Sequence, residues 1–254
     1  MKKTVWIIAV LLMPALGWAA GSGNSYPNDE IDVDWSDKAA MQRGAALFVN
    51  YCMGCHSLEY MRYNRMGKDL GISDELLKEN LIFTTDKNGE QTKVGELMKI
   101  NMDKEYAETA FGTAPPDLTL IARSRGPHWL YNYLRGFYVD ESRPFGVNNS
   151  VFPNVGMPHV LLGLEGLKEA VIEKHEDEEG NEKEVIVGFK KLSEGSMSQA
   201  EYDQAVKDLV SFLDYVGEPI KEKRKSVGVG VLIFLFIFLI LAVLLKKEYW
   251  KDVH

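Results

Sequence analysis

The sequence predicts a mainly α-helical domain that is held by one C-terminal membrane helix. Three observations favour this class: apolar residues recur at helical spacing in several segments, residues 227–245 form an uninterrupted apolar run, and residues 1–20 follow the pattern of an export signal. The chain has 254 residues, of which 46% are hydrophobic. This composition is sufficient for a packed core, so disorder is excluded for most of the chain.

Charge is distributed unevenly along the chain. Residues 21–220 hold 20 basic and 34 acidic residues, a net charge of −14, whereas both ends are basic. No nucleic-acid partner is expected, because phosphate contacts need a basic face. A basic protein or a cation is the more natural partner of this acidic central region.

The first twenty residues follow the tripartite pattern of a secretory signal. Lys2 and Lys3 precede the apolar stretch Val5–Leu16, and the segment ends in small residues. The apolar stretch is shorter than the roughly 20 residues that a spanning helix needs. We therefore expect residues 1–20 to be a removable signal peptide, with an uncleaved N-terminal anchor as the alternative.

The apolar run 227–245 is predicted to cross a membrane. At 1.5 Å per residue its 19 residues span about 28 Å, close to the roughly 30 Å hydrocarbon thickness of a bilayer. A buried core helix is the alternative, but charged residues flank the run on both sides. If the domain at 21–220 is exported first, residues 221–226 form a basic linker and residues 246–254 form a cytoplasmic tail.

Five segments of the central domain are expected to be helical, because their apolar residues recur at helical spacing or a helix-capping residue precedes them. One of them has both a serine cap and the glutamate of a capping box. The segments are Asp37–Asn50 with a Ser36 cap, Ser73–Asn80, residues 94–106, Pro127–Tyr138, and Ser198–Val216 with Ser198 and Glu201 as the capping box.

The remaining parts of the domain are expected to be irregular. Residues 21–36 are polar and turn-rich, Asp86–Gly89 is a turn sequence, and Gly146–Pro158 is interrupted by prolines and glycine. Residues 173–184 are nearly all charged and lie between apolar residues. This charged segment is interpreted as a solvated hairpin or loop.

The residues that carry chemistry are Cys52-Met53-Gly54-Cys55-His56, which form the C-x-x-C-H signal for attaching a c-type haem. Two thiols three positions apart on a helical turn reach the two vinyl groups of one porphyrin edge. The adjacent imidazole is thereby placed beneath the iron as the proximal ligand. The sequence therefore predicts one covalently bound haem c.

The same residues have three competing interpretations: a redox dithiol, half of a metal site, or a chance match. A dithiol oxidoreductase carries its motif after a strand in a βαβ unit, whereas a helix is expected before this one. A zinc site lacks third and fourth cysteines, although histidines could replace them. The export signal favours haem, because c-type haem is attached outside the cytoplasm in such proteins.

The second axial ligand decides whether a haem protein carries electrons or binds small ligands. Met157 lies between Pro153 and Pro158, in a rigid and irregular loop that can hold a thioether over the iron. His159 is the next alternative, and any single methionine can instead fill a core. The other candidates are Met61, Met66, Met98, Met102, Met197, His128 and His175.

Five parts of the chain resemble the cytochrome c1 family, the haem subunit of the bacterial ubiquinol–cytochrome c reductase, or cytochrome bc1 complex. The resemblance covers nearly the whole chain after the signal, in the same order. It implies a class I cytochrome c-like haem domain with long loop insertions. The resembling parts are RGAALFVNYCMGCHSLEYMRY (43–63), APPDLTLIARSR (114–125), FPNVGMP (152–158), GSMSQAEYDQAVKDLVSFLDYVGEP (195–219) and the C-terminal membrane helix.

The resemblance also implies roles for individual residues. The two cysteines of the motif would form thioethers, and its histidine together with Met157 would bind the iron. Arg125 and Tyr131 match positions that hydrogen-bond haem propionates, although a surface salt bridge is the alternative for Arg125. Pro115 and Pro116 match a segment that packs against the haem.

Helix packing is implied as well. Gly44 and Phe48 resemble the contact at which the first helix of class I cytochromes crosses the last, here near Phe212 and Tyr215. The stretch 164–196 departs from the family and is expected to be solvated surface. The structural disulfide of some relatives is absent, because no further cysteine pair is available.

In function, the resemblance implies one-electron transfer from a Rieske iron–sulfur protein to a soluble or tethered cytochrome c. The membrane helix would pack on a cytochrome b subunit, within a dimeric complex of a bacterial inner membrane and with the haem domain in the periplasm. The alternatives are a membrane-anchored c-type cytochrome of another oxidase or dehydrogenase, a haem enzyme or sensor with a labile sixth ligand, and a non-haem adhesion or assembly module.

Overall fold

The computed structural model describes residues 26–176 and 182–251. The expected signal peptide and part of the charged segment lie outside these residues. Within them the class is mainly α-helical, as predicted, and includes three two-stranded antiparallel sheets. The elements are α1 (Lys38–Leu47), a π-helical turn (Phe48–Cys52), β1 (Leu58–Arg62), α2 (Tyr63–Leu70), α3 (Asp74–Asn80), β2 (Leu97–Met98), α4 (Lys104–Phe111), α5 (Ile121–Arg125), α6 (Pro127–Leu134), β3 (Phe137–Val139), β4 (Val147–Asn149), α7 (Leu162–Glu165), β5 (Lys168–Glu176), β6 (Glu182–Lys191), α8 (Gln199–Gly217) and α9 (Lys221–Tyr249).

The core is built around the crossing of α1 and α8. A Cβ atom on Gly44 would lie 2.2 Å from the carbonyl oxygen of Asp208 and 2.8 Å from the Cβ of Phe212, so only glycine permits this approach. The rings of Phe48 and Phe212 meet with their centroids 6.0 Å apart. The structure therefore contains the helix contact that the sequence predicted.

Replacing Gly44 by alanine is expected to lower the free energy of unfolding by about 1–3 kcal/mol, the usual cost of overpacking a core. The added methyl group would meet backbone atoms, which cannot rotate away. Gly163→Ala is the matched control, because open space surrounds that glycine. Urea unfolding of the detergent-solubilised chain measures both variants, and equal stability of the two would contradict the packing argument.

The first helix begins and ends differently from the prediction. Asp37 caps it, with its Oδ1 accepting from the amide of Ala40 at 2.9 Å, while the Ser36 hydroxyl donates to Asp34. The predicted Ser36 cap is therefore wrong. The helix was expected to reach Asn50, but its last turn widens into the π-helical segment that leads to the cysteines.

Two other helix predictions need correction. Residues 94–106 do not form a helix, because Leu97–Met98 pair with β1 and the next helix starts only after Asp103, its N-cap. The helix from Pro127 ends at Leu134 rather than Tyr138. The chain turns there at Gly136, where a side chain would collide with Ser150 and Asn149, and then enters β3.

Most other local predictions are confirmed, but the expectation that residues 164–196 are solvated surface is wrong at the start of that stretch, where Leu164 and Glu165 are buried because α7 packs against α8. The Ser73 hydroxyl caps α3, and the Gly89 amide donates to the Asp86 carbonyl at 3.1 Å in the expected turn. Ser198 and Glu201 form a full capping box on α8. The described ends of the charged segment, residues 173–176 and 182–184, lie in β5 and β6, whose strands pair from Lys168↔Lys191 to Glu176↔Glu182.

The C-terminal helix α9 is long and apolar enough to cross a membrane, and its apolar part is exposed. Its 29 residues span about 43 Å. Residues 221–226, expected as a linker, form its first turns instead. Five of these six residues are Lys, Arg or Glu, all strong helix formers, and no proline or glycine interrupts them.

Polar contacts join this helix to the domain. The buried carboxylate of Asp214 accepts from the indole nitrogen of Trp35 at 2.9 Å and from Nζ of Lys221 at 3.0 Å. Glu218 accepts from two nitrogens of the Arg224 guanidinium. The haem-motif domain is therefore held directly on the end of the membrane helix.

Candidate functional site

The C-x-x-C-H residues occupy a single tight turn. The amides of Cys55 and His56 both donate to the carbonyl oxygen of Cys52, at 3.0 and 2.9 Å. Just before this turn, the amide of Met53 donates to the carbonyl of Phe48 and closes the π-helical segment. The local backbone therefore presents both thiols and the imidazole from one compact turn.

The environment of the first cysteine argues against the competing interpretations. Burial, with the neighbouring Cys55, raises the pKa of Cys52 to about 12, so its thiol stays protonated at neutral pH. A redox dithiol needs an accessible thiolate, which this buried thiol does not supply. Among residues 26–176 and 182–251, no group of three or more His, Cys, Asp or Glu side chains is placed to hold a metal.

The imidazole of His56 is oriented by the chain opposite it. Its Nδ1 lies 2.7 Å from the carbonyl oxygen of Pro116, and because a carbonyl only accepts, Nδ1 must carry the proton. The lone pair is then on Nε2, which is the arrangement that metal-binding histidines use. Burial lowers the pKa of His56, which keeps the ring neutral.

The segment that carries Pro116 is fastened to the residues after the motif. Asp117 accepts from the amide of Glu59 at 2.7 Å, and the amide of Leu118 donates to the carbonyl of Ser57 at 3.0 Å. The acceptor for His56 is therefore fixed relative to the motif. Sequence reasoning missed Asp117, whose role depends on this pairing of distant segments.

The loop that carries Met157 is held in shape by side chains of β4. Asn148 accepts from the amide of Asn154, which has a left-handed backbone with φ 64°, and Arg143 donates to the carbonyl of Asn154. The side chain of Asn149 accepts from the amides of Val151 and Phe152, at 2.9 and 3.0 Å. The part of the predicted irregular segment that carries Met157 is irregular, and its hydrogen bonds fix its path. The prediction is wrong for Val147–Asn149, which form β4 because they pair with β3.

Met157 is half-buried and lies beside an aromatic group. The hydroxyl of Tyr133 donates to its sulfur at 3.5 Å, and the side chain packs against a small cluster that includes Phe137 and Val155. The Tyr133 ring also stacks on Trp129, with centroids 4.9 Å apart, and both rings pack against the main core that contains Cys52. These two aromatic residues therefore connect the loop of Met157 to the main core.

Arg125 contacts the aromatic residues near Met157, and Tyr131 does not. The guanidinium carbon of Arg125 lies 5.0 Å from the Trp129 ring centroid and 5.9 Å from that of Phe152, and no carboxylate of the described residues pairs with it. Tyr131 is buried on another side of α6, where the guanidinium of Arg135 covers its ring at 4.5 Å. Of the two predicted propionate residues, only Arg125 contacts the aromatic group beside Met157.

The other candidate ligands are engaged by other side chains or backbone groups, exposed, or packed in the core. His159 is engaged by Glu165 at 2.9 Å and stacks on Phe137. The ring of His128 accepts from the amide of Ile31, and His175 is exposed on the hairpin. The remaining candidates are the fully buried core methionines Met61, Met66 and Met98, and the partly buried Met102 and Met197.

Taken together, these donors suit a c-type haem. They comprise two thiols on one turn, an imidazole with a free Nε2 lone pair, a thioether on a fixed loop, and an exposed guanidinium without a carboxylate partner. The aromatic residues beside the methionine would provide an apolar surface for a porphyrin. Tyr133 was missed from the sequence, although its helical spacing from Trp129 is visible there.

Comparisons with known proteins agree with this chemistry. The Cytochrome C1 family matches residues 30–253. The chain is 48% identical to cytochrome c1 of Allochromatium vinosum over 254 residues, which is the full length of both chains. It is 43% identical to the ammonia monooxygenase gamma subunit of Nitrosomonas europaea, with 98% of this chain and 97% of that protein covered. A solved structure named Hyperthermophilic respiratory Complex III matches with TM-score 0.48 and 16% identity, covering 100% and 98% of the two chains.

Proposed function

Because this chain belongs to the cytochrome c1 family and has its haem electron-transfer role, we propose that it carries one haem c bound covalently to Cys52 and Cys55. The bound haem supplies one-electron redox chemistry. In this proposal the protein is a subunit of a quinol–cytochrome-c reductase. It makes or breaks no substrate bond by itself.

The orientation of His56 is the observation that carries this proposal. The hydrogen bond from Nδ1 to the Pro116 carbonyl leaves Nε2 free to bind iron on one face. Met157 would supply the second ligand of the iron, with its sulfur held by Tyr133. A thioether ligand favours the ferrous state relative to a second imidazole and so raises the reduction potential. A high potential suits a late position in an electron-transfer chain.

The surface and the anchor support the proposed partners. The electron would come from the iron–sulfur cluster of a Rieske protein and leave to a soluble or tethered cytochrome c. The net charge of −14 on residues 21–220 would steer a basic acceptor, an effect on association rate that salt weakens. The helix α9 would pack on a cytochrome b subunit of a dimeric complex in the inner membrane, with the domain in the periplasm and the C-terminus in the cytoplasm.

Purification of the tagged chain from its native membranes tests this function. We expect a cytochrome b and a Rieske protein to co-purify, and a quinol to reduce the haem of the isolated complex. Loss of that reduction with a specific cytochrome b inhibitor would supply the control. A haem protein that purifies without either partner and is not reduced by quinol would contradict the proposal.

A second candidate is a membrane-anchored c-type cytochrome that serves another oxidase. The observation that favours it is the 43% identity to a protein named as a subunit of ammonia monooxygenase. Both candidates use the same haem site and anchor and differ only in partner. The subunits that co-purify therefore decide between them.

Replacing Arg125 by glutamine is expected to lower the haem midpoint potential. If its guanidinium pairs with a propionate, removing the positive charge favours the ferric haem, by on the order of 1 kcal/mol or roughly 40 mV. Arg123→Gln is the matched control, because Arg123 lies on the same helix and contacts Glu218 instead. Redox titration measures both variants, and equal potentials would remove Arg125 from the haem site.

A further inference from the structure

A buried chain of charged and polar side chains lies immediately after Met157. Nε2 of His159 is 2.9 Å from one carboxylate oxygen of Glu165, and the other oxygen accepts from the ammonium group of Lys168. The side chains of His159 and Glu165 are only 5% and 4% exposed. We call His159, Glu165 and Lys168 the buried triad.

The buried triad is anchored to the domain at both ends. The imidazole of His159 stacks on Phe137 of β3, with centroids 4.9 Å apart and the rings nearly parallel. At the other end, Nζ of Lys168 donates to the carbonyl oxygen of Arg135 at 2.6 Å and lies 4.4 Å from the ring centroid of Phe189. The triad therefore joins the chain after Met157 to the end of α6 and to the β5–β6 hairpin.

Burying charged side chains costs free energy even when they are paired, and apolar side chains of the same size often stabilise a core equally well. The stability of the core therefore does not explain the triad. The position of the triad, next to Met157, points to a different role. Before Met157 the loop is tied by Asn148 and Arg143, whereas after Met157 the next buried polar tie is His159. Only Pro158 separates the two residues, so a movement of His159 is transmitted to the methionine.

We propose that the buried triad is a positioning device that keeps the Met157 thioether directed at the haem iron. The proposal rests on the proposed function, since it requires a haem that Met157 binds. His159 acts through the backbone and Pro158, and does not contact the iron. Phe137 contributes to the same device, because it packs against both His159 and the cluster beside Met157.

Two substitutions of His159 separate its hydrogen bond from its ring. His159→Phe keeps the stacking on Phe137 and removes the hydrogen bond to Glu165, whereas His159→Gln retains a donor. In the haem-loaded full chain in detergent, we expect His159→Phe to weaken the ferric charge-transfer band of thioether ligation. We also expect carbon monoxide to bind its ferrous haem about tenfold faster, the effect of one lost hydrogen bond to a charged group. His159→Gln keeps the hydrogen bond but loses the stacking on Phe137, so both readouts should lie between those of His159→Phe and the unmodified protein.

A control variant distinguishes positioning from general loss of stability. Arg43→Leu breaks another ion pair, to the 3%-exposed Asp208 at the crossing of α1 and α8. It should lower thermal stability without changing the band or the carbon monoxide rate. If Arg43→Leu changes both readouts as much as His159→Phe does, the triad has only a structural role and the proposal is overturned.

The remaining arms separate this proposal from the ligand assignment. If Met157→Ala leaves the band intact, the ligand assignment and the positioning proposal both fail. If Met157→Ala abolishes the band while His159→Phe matches the unmodified protein, only the positioning proposal fails. Should His159→Phe not fold, Glu165→Gln keeps the side-chain volume and removes the charge. It is then expected to accelerate carbon monoxide binding, and an unchanged rate would overturn the proposal.

Discussion

Replacing Met157 by alanine is expected to convert the haem from low-spin to high-spin and to lower its midpoint potential by roughly 100–300 mV. The thioether stabilises ferrous iron, and alanine offers no donor. The hydroxyl of Tyr133, which donates to the methionine sulfur, would lose its acceptor as well. Optical spectra and redox titration of the purified chain measure these changes, and carbon monoxide should bind the ferrous variant readily.

Met197→Ala is the matched control for this experiment. Met197 is also partly buried and lies outside the loop of Met157, where it packs against the main core. This variant should leave the spectrum and the potential unchanged. A low-spin spectrum that persists in Met157→Ala would refute the assignment of Met157 as the sixth ligand.

Replacing Cys52 and Cys55 together by alanine is expected to abolish haem staining of the polypeptide on a denaturing gel. No other cysteine in the chain can form a thioether, so noncovalent haem would be lost under denaturing conditions. The domain should also be less stable, because the haem's packing contacts and its bonds to the axial side chains exist only in the folded state. The fraction of stained protein in a host with haem-attachment machinery is the measurement.

Met53→Leu controls for disturbance of the same turn. Met53 is buried between the cysteines, and leucine of similar size should preserve its packing. Haem staining should therefore be retained in this variant. Persistent staining of the double cysteine variant would show that the haem is attached elsewhere and would refute the assignment.

Local signals in the sequence were sufficient for much of the fold. The long apolar C-terminal helix, the capping box at Ser198 and the paired strands on either side of residues 177–181 all depend on residues close together in the chain. The structure contains each of these features. The helix predicted for 94–106 was wrong because Leu97–Met98 pair with β1, about forty residues earlier. Such pairing is set by tertiary contacts that override local propensity.

The candidate site also contains residues that local sequence patterns identify and contacts that only the tertiary fold determines. The cysteines, His56 and Met157 carry recognisable sequence patterns, whereas the hydrogen bonds that orient them come from distant residues. Tyr133, rather than Tyr131, faces the methionine, and two positions on a helix differ by about 200° in direction. Which tyrosine faces the loop depends on how α6 is rotated against its neighbours, and the sequence alone does not give that rotation.

Mass spectrometry of the intact chain from native membranes tests the central claim most directly. We expect the mass of the processed polypeptide plus one haem, and a proteolytic peptide spanning Cys52 and His56 in which both thiols resist alkylation. Redox-active protein in which both cysteines are alkylated freely, with no haem mass on that peptide, would contradict the account.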